Sequence, residues 1–494
     1  MNVDASIFRE YDIRGVAGEK FTKKALLEYE KWYGKFPGVN ITPEVATAIG
    51  RGYGTMIRKK GGRRVIVGHE LRPYGEELKR HFIRGVLDTG CDVEDAGVAL
   101  TPIVYFATEY YGFDGGVNVT GSHNVYFFNG FKLMGRHVDP IFGEELQDMR
   151  RLIEKEEWVK NTEGKLTKKE VFTDYRKYLL EHNRFERKFK VVIDSGNGSA
   201  GKFAPQIFRE LGCEVTELFS RADARFPNHV PDPEDPYAMR FLIDKTTEEK
   251  ADMGIGFDAD GDRFGAVDEK GKFINADHMI LVISRDILTR KPGKKILYDI
   301  KCSRLLDDLL PGFGGIPLMH KTGHAPIKRS MREDKEIIFG GEISGHFYFA
   351  EDYFRIDDGL YAAAKFLQLM SKTNLTVSQF MEQVPETIST PELKLPCEDR
   401  IKHEIVDKIK NYFVQLFKVI DIDGARIEFS DTSWGLVRAS NTSPYLTIRF
   451  EADTAEELIK CKNRLADELE KYPEIGDRLD RKNVTSHTGR LGWI

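Results

Sequence analysis

Residues 251–263 read Ala-Asp-Met-Gly-Ile-Gly-Phe-Asp-Ala-Asp-Gly-Asp-Arg. The apolar run at 251–255 predicts a short buried strand, which places the carboxylates of Asp258, Asp260 and Asp262 on the loop at its carboxyl end. Unpaired carboxylates this close repel one another, whereas a hard divalent cation such as Mg²⁺ prefers oxygen ligands and would satisfy all three. Because open α/β sheets hold their ligands beyond the carboxyl ends of their strands, the stretch predicts an α/β fold with a metal site at that edge.

Two other interpretations of this loop compete with a magnesium site. The first is an acidic surface loop, which is common in proteins and which motif spacing alone leaves open. The second is a calcium EF-hand, because Glu269 stands at the twelfth position counted from Asp258. An EF-hand needs glycine at the sixth position, where this chain has Arg263, and a helix before the loop where this chain has a strand. The EF-hand is therefore excluded.

Strand-like apolar runs alternate with helical stretches through the first three quarters of the chain. The predicted strands include 65–68, 117–120, 191–194, 295–299 and 336–340, and the predicted helices include 76–87 and 205–211. Such alternation is typical of βαβ units, and three passages of similar length suggest a repeated domain. After residue 388, alternating strands at 426–429 and 445–450 and helices at 400–416 and 454–471 predict an α+β domain.

The predicted fold class is α/β, with three similar mixed-sheet α/β domains followed by a C-terminal α+β domain. The predicted domain limits are 1–168, 169–272, 273–387 and 388–494. The charged run at 150–169 is interpreted as a linker helix between the first two domains. The polar tail at 477–494 is interpreted as an extension packed on the surface.

Composition narrows the class of protein. The 494 residues are 41% hydrophobic and 31% charged, with a net charge of −5, which argues against a nucleic-acid binder. The five cysteines form no Cys-x-x-Cys pair, so neither a disulfide framework nor a zinc site is indicated. There is no signal-like N-terminus and no run of about 18 apolar residues. A cytoplasmic protein without a membrane partner is predicted, and its oligomeric state is not indicated.

A second chemical loop surrounds Ser122 in the sequence Thr-Gly-Ser-His-Asn at 120–124. A serine on a glycine turn after a strand exposes its hydroxyl, and next to His123 and Lys132 it suits a nucleophile or a phosphoryl carrier. A loop serine that caps the next helix is an equal alternative. The Gly-x-Ser-x-Gly pattern of a nucleophile elbow is absent.

Two more loops carry polar groups. Residues 341–346, Gly-Glu-Ile-Ser-Gly-His, offer the donors and acceptors that sugar hydroxyls need. Residues 438–444, Arg-Ala-Ser-Asn-Thr-Ser-Pro, suit a phosphate cradle, with a polar hairpin loop as the alternative. Together the four loops supply a cation site, a hydroxyl, sugar-type groups and a phosphate grip. That set predicts phosphoryl transfer on a phosphosugar.

In their order along the chain, the four loops resemble the α-D-phosphohexomutase superfamily and, within it, the phosphomannomutase/phosphoglucomutase branch. Further matching segments are 8–15, 226–229, 298–302 and 321–324, so the resemblance runs from Phe8 to Glu451. It implies a heart-shaped protein of four domains, with one loop from each lining a central cleft. It also implies reversible interconversion of hexose 1-phosphate and hexose 6-phosphate, of mannose or glucose, through a phosphoserine and a hexose 1,6-bisphosphate that also serves as activator.

The resemblance also implies residue roles. Ser122 would carry the phosphoryl group and, with Asp258, Asp260 and Asp262, would hold Mg²⁺. The residues expected around the transferring phosphate and the hydroxyl proton are Arg14, His123, Lys132, Arg263 and His346. The residues expected to bind the sugar and its distal phosphate are Lys301, His324, Glu342, Ser344, Arg438, Ser440, Asn441 and Thr442.

The sequence departs from the family pattern at three places. Val125 stands where proline is usual after the Ser-His-Asn triplet, and residues 68–72 read Gly-His-Glu-Leu-Arg where Gly-Arg-Asp-x-Arg is usual. Ile343 stands at a position that is methionine in hexose-type members and glutamine in glucosamine-type members, and an apolar residue favours a hexose. A phosphoglucosamine mutase, a non-enzymatic sugar-phosphate sensor and a hydrolytic phosphatase are the alternative functions.

Overall fold

The computed structural model describes residues 3–18, 26–27, 29–30, 36–440 and 445–476, and its strands form four sheets. The strands are β1 (Ile13–Val16), β2 (Arg64–His69), β3 (Asp92–Val98), β4 (Gly115–Val119), β5 (Phe128–Gly135), β6 (Leu166–Lys168), β7 (Lys190–Asp194), β8 (Glu214–Leu218), β9 (Met253–Phe257), β10 (Phe264–Asp268), β11 (Phe273–Ile274), β12 (Lys295–Asp299), β13 (Ile316–His320), β14 (Ile337–Gly341), β15 (Phe347–Phe349), β16 (Ile388–Ser389), β17 (Leu393–Pro396), β18 (Lys418–Ile420), β19 (Ala425–Ser430), β20 (Ser433–Ala439) and β21 (Tyr445–Ala452).

Helices cover the sheets. The α-helices are α1 (Pro43–Lys59), α2 (Gly75–Leu87), α3 (Thr101–Tyr110), α4 (Glu144–Glu154), α5 (Phe172–His182), α6 (Ala204–Glu210), α7 (Pro236–Glu249), α8 (Ala276–Arg290), α9 (Leu305–Leu309), α10 (His324–Glu333), α11 (Gly359–Ser371), α12 (Val377–Met381), α13 (Lys402–Phe413), α14 (Ala455–Leu469) and α15 (Pro473–Gly476). Short 3₁₀ turns lie at Ala5–Ile7, Arg136–Val138, Ser199–Lys202 and Pro311–Phe313. None of the helices among the described residues is long and apolar enough to cross a membrane.

The first three sheets repeat one arrangement of four strands. Their orders contain β3-β2-β4-β5, β8-β7-β9-β10 and β13-β12-β14-β15. In each set the first three strands are parallel and the fourth is antiparallel to the third. The repeat suggested by the sequence pattern is therefore present in the strand order.

The repeat also places the chemical loops. Each lies between the third strand and the antiparallel fourth: residues 120–127 join β4 to β5, residues 258–263 join β9 to β10, and residues 342–346 join β14 to β15. The third strands β4, β9 and β14 are buried along their whole length, which explains their nearly continuous small and apolar residues. Three equivalent hairpins thus carry three different sets of side chains.

The fourth sheet is antiparallel, in the order β16-β21-β20-β19-β18 with β17 also on β21, and α13 and α14 pack on it. Its loop from β20 to β21 holds Ser440. The predicted sequence of three mixed α/β sheets and a smaller α+β unit is confirmed.

The apolar cores are distributed unequally among the four units. One apolar cluster runs continuously through the first three sheets and includes Phe106, Ile193 and Phe339. The fourth unit has a core of its own, and a small cluster of Ile300, Trp434 and Leu436 connects it to the third. The first three units therefore share one large apolar cluster, whereas the fourth has its own core and a small cluster with the third.

The linker helix predicted at 150–169 is wrong for most of that span. Helix α4 begins earlier and ends at Glu154, because Glu156 adopts a left-handed backbone with φ of 56° that a helix cannot continue. The chain then returns to the first sheet, where β6 pairs with β3. The predicted surface extension at 477–494 lies outside the described residues.

Candidate active site

One cavity of about 280 Å³ lies where the four units meet. Each unit contributes at least one charged or hydroxyl side chain to its lining. Those predicted from the sequence are Arg14, Ser122, His123 and Lys132 from the first unit, Arg263 from the second, Lys301, His324, Glu342, Ser344 and His346 from the third, and Arg438 and Ser440 from the fourth. Asn441 and Thr442, also predicted, lie outside the described residues.

Ser122 lies at the cavity wall with its hydroxyl directed toward the second unit. Its Oγ is 3.5 Å from Asp258 Oδ2 and 3.3 Å from His123 Nδ1. The residue is 4% exposed and has a φ of 50°, a left-handed conformation that is uncommon for a residue with a side chain. Backbone strain of this kind clusters at functional sites, where the surroundings hold it in place.

The three aspartates lie behind Ser122 and are completely buried. Their carboxylate oxygens lie within 4.8 Å of one another. Burial and the neighbouring charges of Asp262 and Asp260 raise the pKa of Asp258 well above its ordinary value. The Oδ1 atoms of Asp260 and Asp262 are buried without a hydrogen-bond partner among the described residues. These residues therefore fit a divalent cation, which would supply the missing partner and the missing positive charge.

Lys132 and Thr101 connect the aspartates to the first sheet. Lys132 on β5 pairs with Asp260 at 2.9 Å and also with Asp262. Burial disfavours its charge, but the two carboxylates outweigh burial and raise the pKa of Lys132, so it stays protonated. Thr101 donates its hydroxyl to Asp260 Oδ2 at 2.5 Å and its amide to the Asp260 carbonyl at 3.0 Å. The first and second units are thereby fixed against each other at the site.

Arg263 and His346 join the second and third units. Arg263 Nε donates to His346 Nε2 at 2.9 Å, so that ring nitrogen is an acceptor. His346 Nδ1 lies 3.1 Å from Asp357, and Asp357 pairs with the buried Lys328 at 2.8 Å. Asp262, His346 and Asp357 form a second group with atoms close enough to ligate a metal. In this arrangement the carboxylate of Asp357 orients the imidazole.

The sugar-type loop of the third unit is fixed by its glutamate. Glu342 accepts hydrogen bonds from the Gly323 amide at 2.7 Å and from the Tyr348 hydroxyl at 2.6 Å. His324, which begins α10, lies 3.4 Å from Asp12. Ser344 lines the cavity beside them. The loop is therefore preorganised before any sugar binds.

Lys301 contacts carboxylates from three units. Its Nζ is 3.0 Å from Glu392 and 3.9 Å from both Glu234 and Asp299. Burial opposes its charge, but Glu392 and Glu234 outweigh burial and raise the pKa of Lys301. The cation is therefore held at the boundary of the second, third and fourth units.

Arg438 on β20 is a charged group in the cavity from the fourth unit, which also contributes Glu392, Lys394 and Asp399. It is 5% exposed and pairs with Asp423 at 2.9 Å. Asp423 also accepts the amide of Thr322 from the third unit at 3.1 Å. Arg14 provides a second arginine, whose Nε and Nη1 are buried without a partner in the described parts of the chain. Both arginines are suited to an anion in the cavity.

Several cavity residues were not predicted from the sequence, namely Tyr11, Asp12, Glu234, Glu392, Lys394 and Thr447. Asp12 is recognisable in retrospect, because it lies two positions before Arg14 and alternate residues of an extended segment share a face. Glu234 and Glu392 lie in loops with no distinctive spacing. Their role depends on Lys301, which only the packing of three units brings to them.

Sequence comparison gives the family of this fold and site. The chain matches the Phosphoglucomutase/phosphomannomutase alpha/beta/alpha domain I at residues 5–160, domain II at 172–271, domain III at 275–388 and the C-terminal domain at 392–468. The chain belongs to the phosphoglucomutase/phosphomannomutase family. The prediction of a phosphotransferase enzyme of this family is confirmed.

Individual relatives cover nearly the whole chain. A phosphoglucomutase of Neisseria meningitidis is 37% identical over 96% of this chain and 99% of its own length. A phosphomannomutase/phosphoglucomutase of Pseudomonas aeruginosa is 38% identical over 94% and 96%. The crystal structure of a phosphoglucomutase/phosphomannomutase family protein from Burkholderia thailandensis matches with a TM-score of 0.85 and 34% identity, covering 95% of this chain and 98% of that one. One relative is named for glucose phosphate alone and the other for both mannose and glucose phosphate.

Proposed function

We propose that this protein reversibly interconverts hexose 1-phosphate and hexose 6-phosphate, of mannose or glucose, through a phosphoserine at Ser122 and a hexose 1,6-bisphosphate. The observation that carries the proposal is one cavity that holds a serine against a buried aspartate triad together with a separate phosphate-type arginine, Arg438. A grip for the non-reacting phosphate lets the same sugar react from either end, which an isomerisation between positions 1 and 6 requires.

The chemical step is an exchange of one phosphoryl group. The bond from phosphorus to Ser122 Oγ breaks as a bond to the free sugar hydroxyl forms, and the hydroxyl proton leaves the sugar. His346 Nε2, an acceptor in the resting site, is the group we assign to take that proton. In the return half-reaction, the other phosphate of the bisphosphate passes to Ser122 and the proton moves back.

The cations of the site stabilise the transferring phosphate. Lys132 is held protonated by its aspartates, so we assign it to charge stabilisation together with Arg14, Arg263 and His123. Mg²⁺, held by Asp258, Asp260, Asp262 and the serine, would neutralise charge on the phosphoryl oxygens when bound. Magnesium is favoured because the donors are all oxygens, with a phosphate as partner.

The remaining predicted residues would bind the substrate. Glu342 and Ser344 would hold sugar hydroxyls, with Lys301 and His324 beside them. Arg438 and Ser440, with Asn441 and Thr442, would hold the distal phosphate. The predicted domain limits 1–168, 169–272, 273–387 and 388–494 are part of this proposal, since each domain then contributes one chemical loop.

The test uses purified protein, intact-mass measurement and parallel assays with mannose 1-phosphate, glucose 1-phosphate and glucosamine 1-phosphate, each with the matching 1,6-bisphosphate. A stable phosphate adduct on Ser122 with turnover of the first two sugars supports the proposal. Preferred turnover of glucosamine 1-phosphate would contradict the sugar assignment. Release of inorganic phosphate without isomerisation would identify a phosphatase, and binding without an adduct or turnover would identify a sensor.

A further inference from the structure

The loop that carries Ser122 has little structure of its own. Residues 120–127 connect β4 to β5, and the internal backbone hydrogen bonds of this stretch are limited to Asn124 to Gly121. Ser122 holds a left-handed backbone, which costs free energy in a residue with a side chain. The surrounding structure must therefore hold the loop in this conformation.

Arg72 provides that support from outside the loop. Its Nη2 donates to the Ser122 carbonyl at 2.5 Å, and its Nη1 donates to the carbonyls of Asn124 at 2.9 Å, Val125 at 2.8 Å and Phe128 at 3.1 Å. The guanidinium is completely buried and does not line the cavity. One side chain thus binds four backbone carbonyls between Ser122 and Phe128.

Glu70 completes the support. It accepts Arg72 Nε at 2.8 Å, the Thr120 hydroxyl at 2.7 Å and the Gly121 amide at 2.6 Å, all on one carboxylate oxygen. The Thr120 hydroxyl in turn accepts the Ser122 amide at 2.7 Å. The amide of Ser122 is therefore fixed through Thr120 and Glu70, and the carbonyl of Ser122 is fixed by Arg72.

The fit around the guanidinium is tight. A Cβ at Gly121 would lie 2.4 Å from Arg72 Cζ, so a side chain there would displace the guanidinium. Phe226 of the second unit packs its ring 5.1 Å from the same carbon, and the adjacent Leu71 amide donates to Ser199 Oγ at 2.7 Å. Lysine offers a single point of donors and no planar fork, so it does not reproduce these directions.

We infer that Arg72 is a positioning residue for the carrier serine: with Glu70 it holds the loop at 120–128 so that Ser122 Oγ faces the aspartate triad. The inference rests on the proposed function. Removing the fork relaxes the strained serine and moves its hydroxyl away from the line of phosphoryl transfer. Substrate binding by the third and fourth units is unaffected, so the loss falls on kcat and not on KM.

The test compares Arg72→Lys and Gly121→Ala with Lys79→Met in the full-length protein. Lys79 is a matched control, because it is a buried cation of the first unit that pairs with Asp95 at 2.7 Å outside the cavity. Both loop variants are expected to lose kcat by about 100-fold, the effect of a misplacement near 1 Å, with KM within about threefold. Lys79→Met is expected to lose thermal stability without that loss of kcat.

Hydrogen exchange gives a readout that does not depend on turnover. Amides at 120–128 are expected to exchange faster in Arg72→Lys than in the wild type and in Lys79→Met, while those at 258–263 stay unchanged. Unchanged exchange at 120–128, or a kcat within about threefold of the wild type, would overturn the inference. A wild type without mutase activity would instead refute the proposed function, with the exchange result still deciding the role of Arg72.

If Arg72→Lys does not fold, the isosteric variant Glu70→Gln tests the inference instead. It removes the charge that holds Arg72 Nε and weakens the bonds to Thr120 and Gly121. A folded Glu70→Gln protein with reduced kcat and faster exchange at 120–128 supports the inference, and one with wild-type values of both contradicts it.

Discussion

The loops of Ser122 and of the three aspartates occupy the same place in the repeated sheets but are held in different ways. The aspartate loop has six residues, turns at Gly261 with φ of 74°, and is held by backbone contacts with Thr101, Ser199 and Gly359. The serine loop has eight residues and depends on one buried guanidinium. Equal topology therefore does not give equal support: neighbouring backbone amides hold the shorter loop, whereas the side chains of Arg72 and Glu70 hold the longer one.

The largest effect is expected at the serine itself. Ser122→Ala removes the atom proposed to carry the phosphoryl group, so turnover should fall by orders of magnitude while the fold stays intact. Turnover, intact mass and thermal unfolding measure this, with Ser284→Ala on α8 as a control. Ser284 is buried, with no side-chain hydrogen-bond partner in the described chain, so its loss should change little. Normal activity in Ser122→Ala would remove the central proposal.

Removing the metal tests the proposed role of the aspartate loop. Treatment with EDTA should abolish turnover and lower the melting temperature, because three buried carboxylates then repel one another and are offset by Lys132 and Arg263 without the metal. Added Mg²⁺ should restore both. Asp260→Asn should mimic the loss of activity, whereas Asp252→Asn, at the far end of the same hairpin, should not. Activity that survives thorough chelation would mean that the triad has another role.

A smaller effect is expected at the phosphate grip. Arg438→Ala removes one proposed charged hydrogen-bonding partner of the distal phosphate, worth about 1.5–3 kcal/mol, so KM should rise roughly tenfold to a hundredfold. More bisphosphate should escape into solution during turnover, because it must turn around without leaving. Phosphorylation of Ser122 should persist. Arg464→Ala, on α14 outside the cavity lining, is the control.

The opposite outcome at Arg438 is equally informative. The fourth unit has its own core and meets the third through a small apolar cluster, as expected for a unit that closes on its ligand. If bisphosphate escape is unchanged and only Ser122 phosphorylation is lost, then Arg438 belongs to the reacting centre. Closure of the fourth unit on its ligand, which the predicted escape of bisphosphate assumes, would then be wrong.

The sequence predicted the chemical loops better than their supports. Asp258, Ser122 and Glu342 each follow an apolar strand, and period-two and period-3.6 patterns are local signals that one sequence contains. Glu70 stands out in the sequence only as a departure from the family pattern, and Arg72 matches that pattern without any sign of its role. Their role depends on backbone carbonyls fifty residues away, which no local pattern records.

Local backbone conformation explains why the helix predicted at 150–169 is wrong. The charged run after Glu154 has helical composition, but a single left-handed residue, Glu156, ends the helix and lets β6 return to the first sheet. Such a residue is not recognisable when it is neither glycine nor asparagine. The same limit applies to Ser122, whose left-handed backbone is visible only in the structure.

The smallest predicted effect is a pH dependence of stability in the segment that packs against Arg72, the support of the serine loop. His229 ends the segment 226–229, whose Phe226 covers the guanidinium of Arg72. Its Nε2 lies 3.0 Å from the buried Asp194 and its Nδ1 lies 3.0 Å from the Val230 carbonyl. Burial lowers the pKa of His229, but Asp194 and the carbonyl outweigh burial and raise that pKa above its ordinary value.

A raised pKa in the folded state means that the folded protein holds this proton more tightly than the unfolded chain does. The resulting stability is complete below pH about 6.5, the ordinary pKa of histidine, and is lost as pH rises through the folded pKa. Chemical unfolding measured from pH 5.5 to 9 should therefore show a component that His229→Gln removes. Hydrogen exchange at 226–232 and 120–128 should increase over the same range in the wild type, more than at 258–263. An equal pH dependence in His229→Gln would show that this pair does not connect protonation to the support of the serine loop.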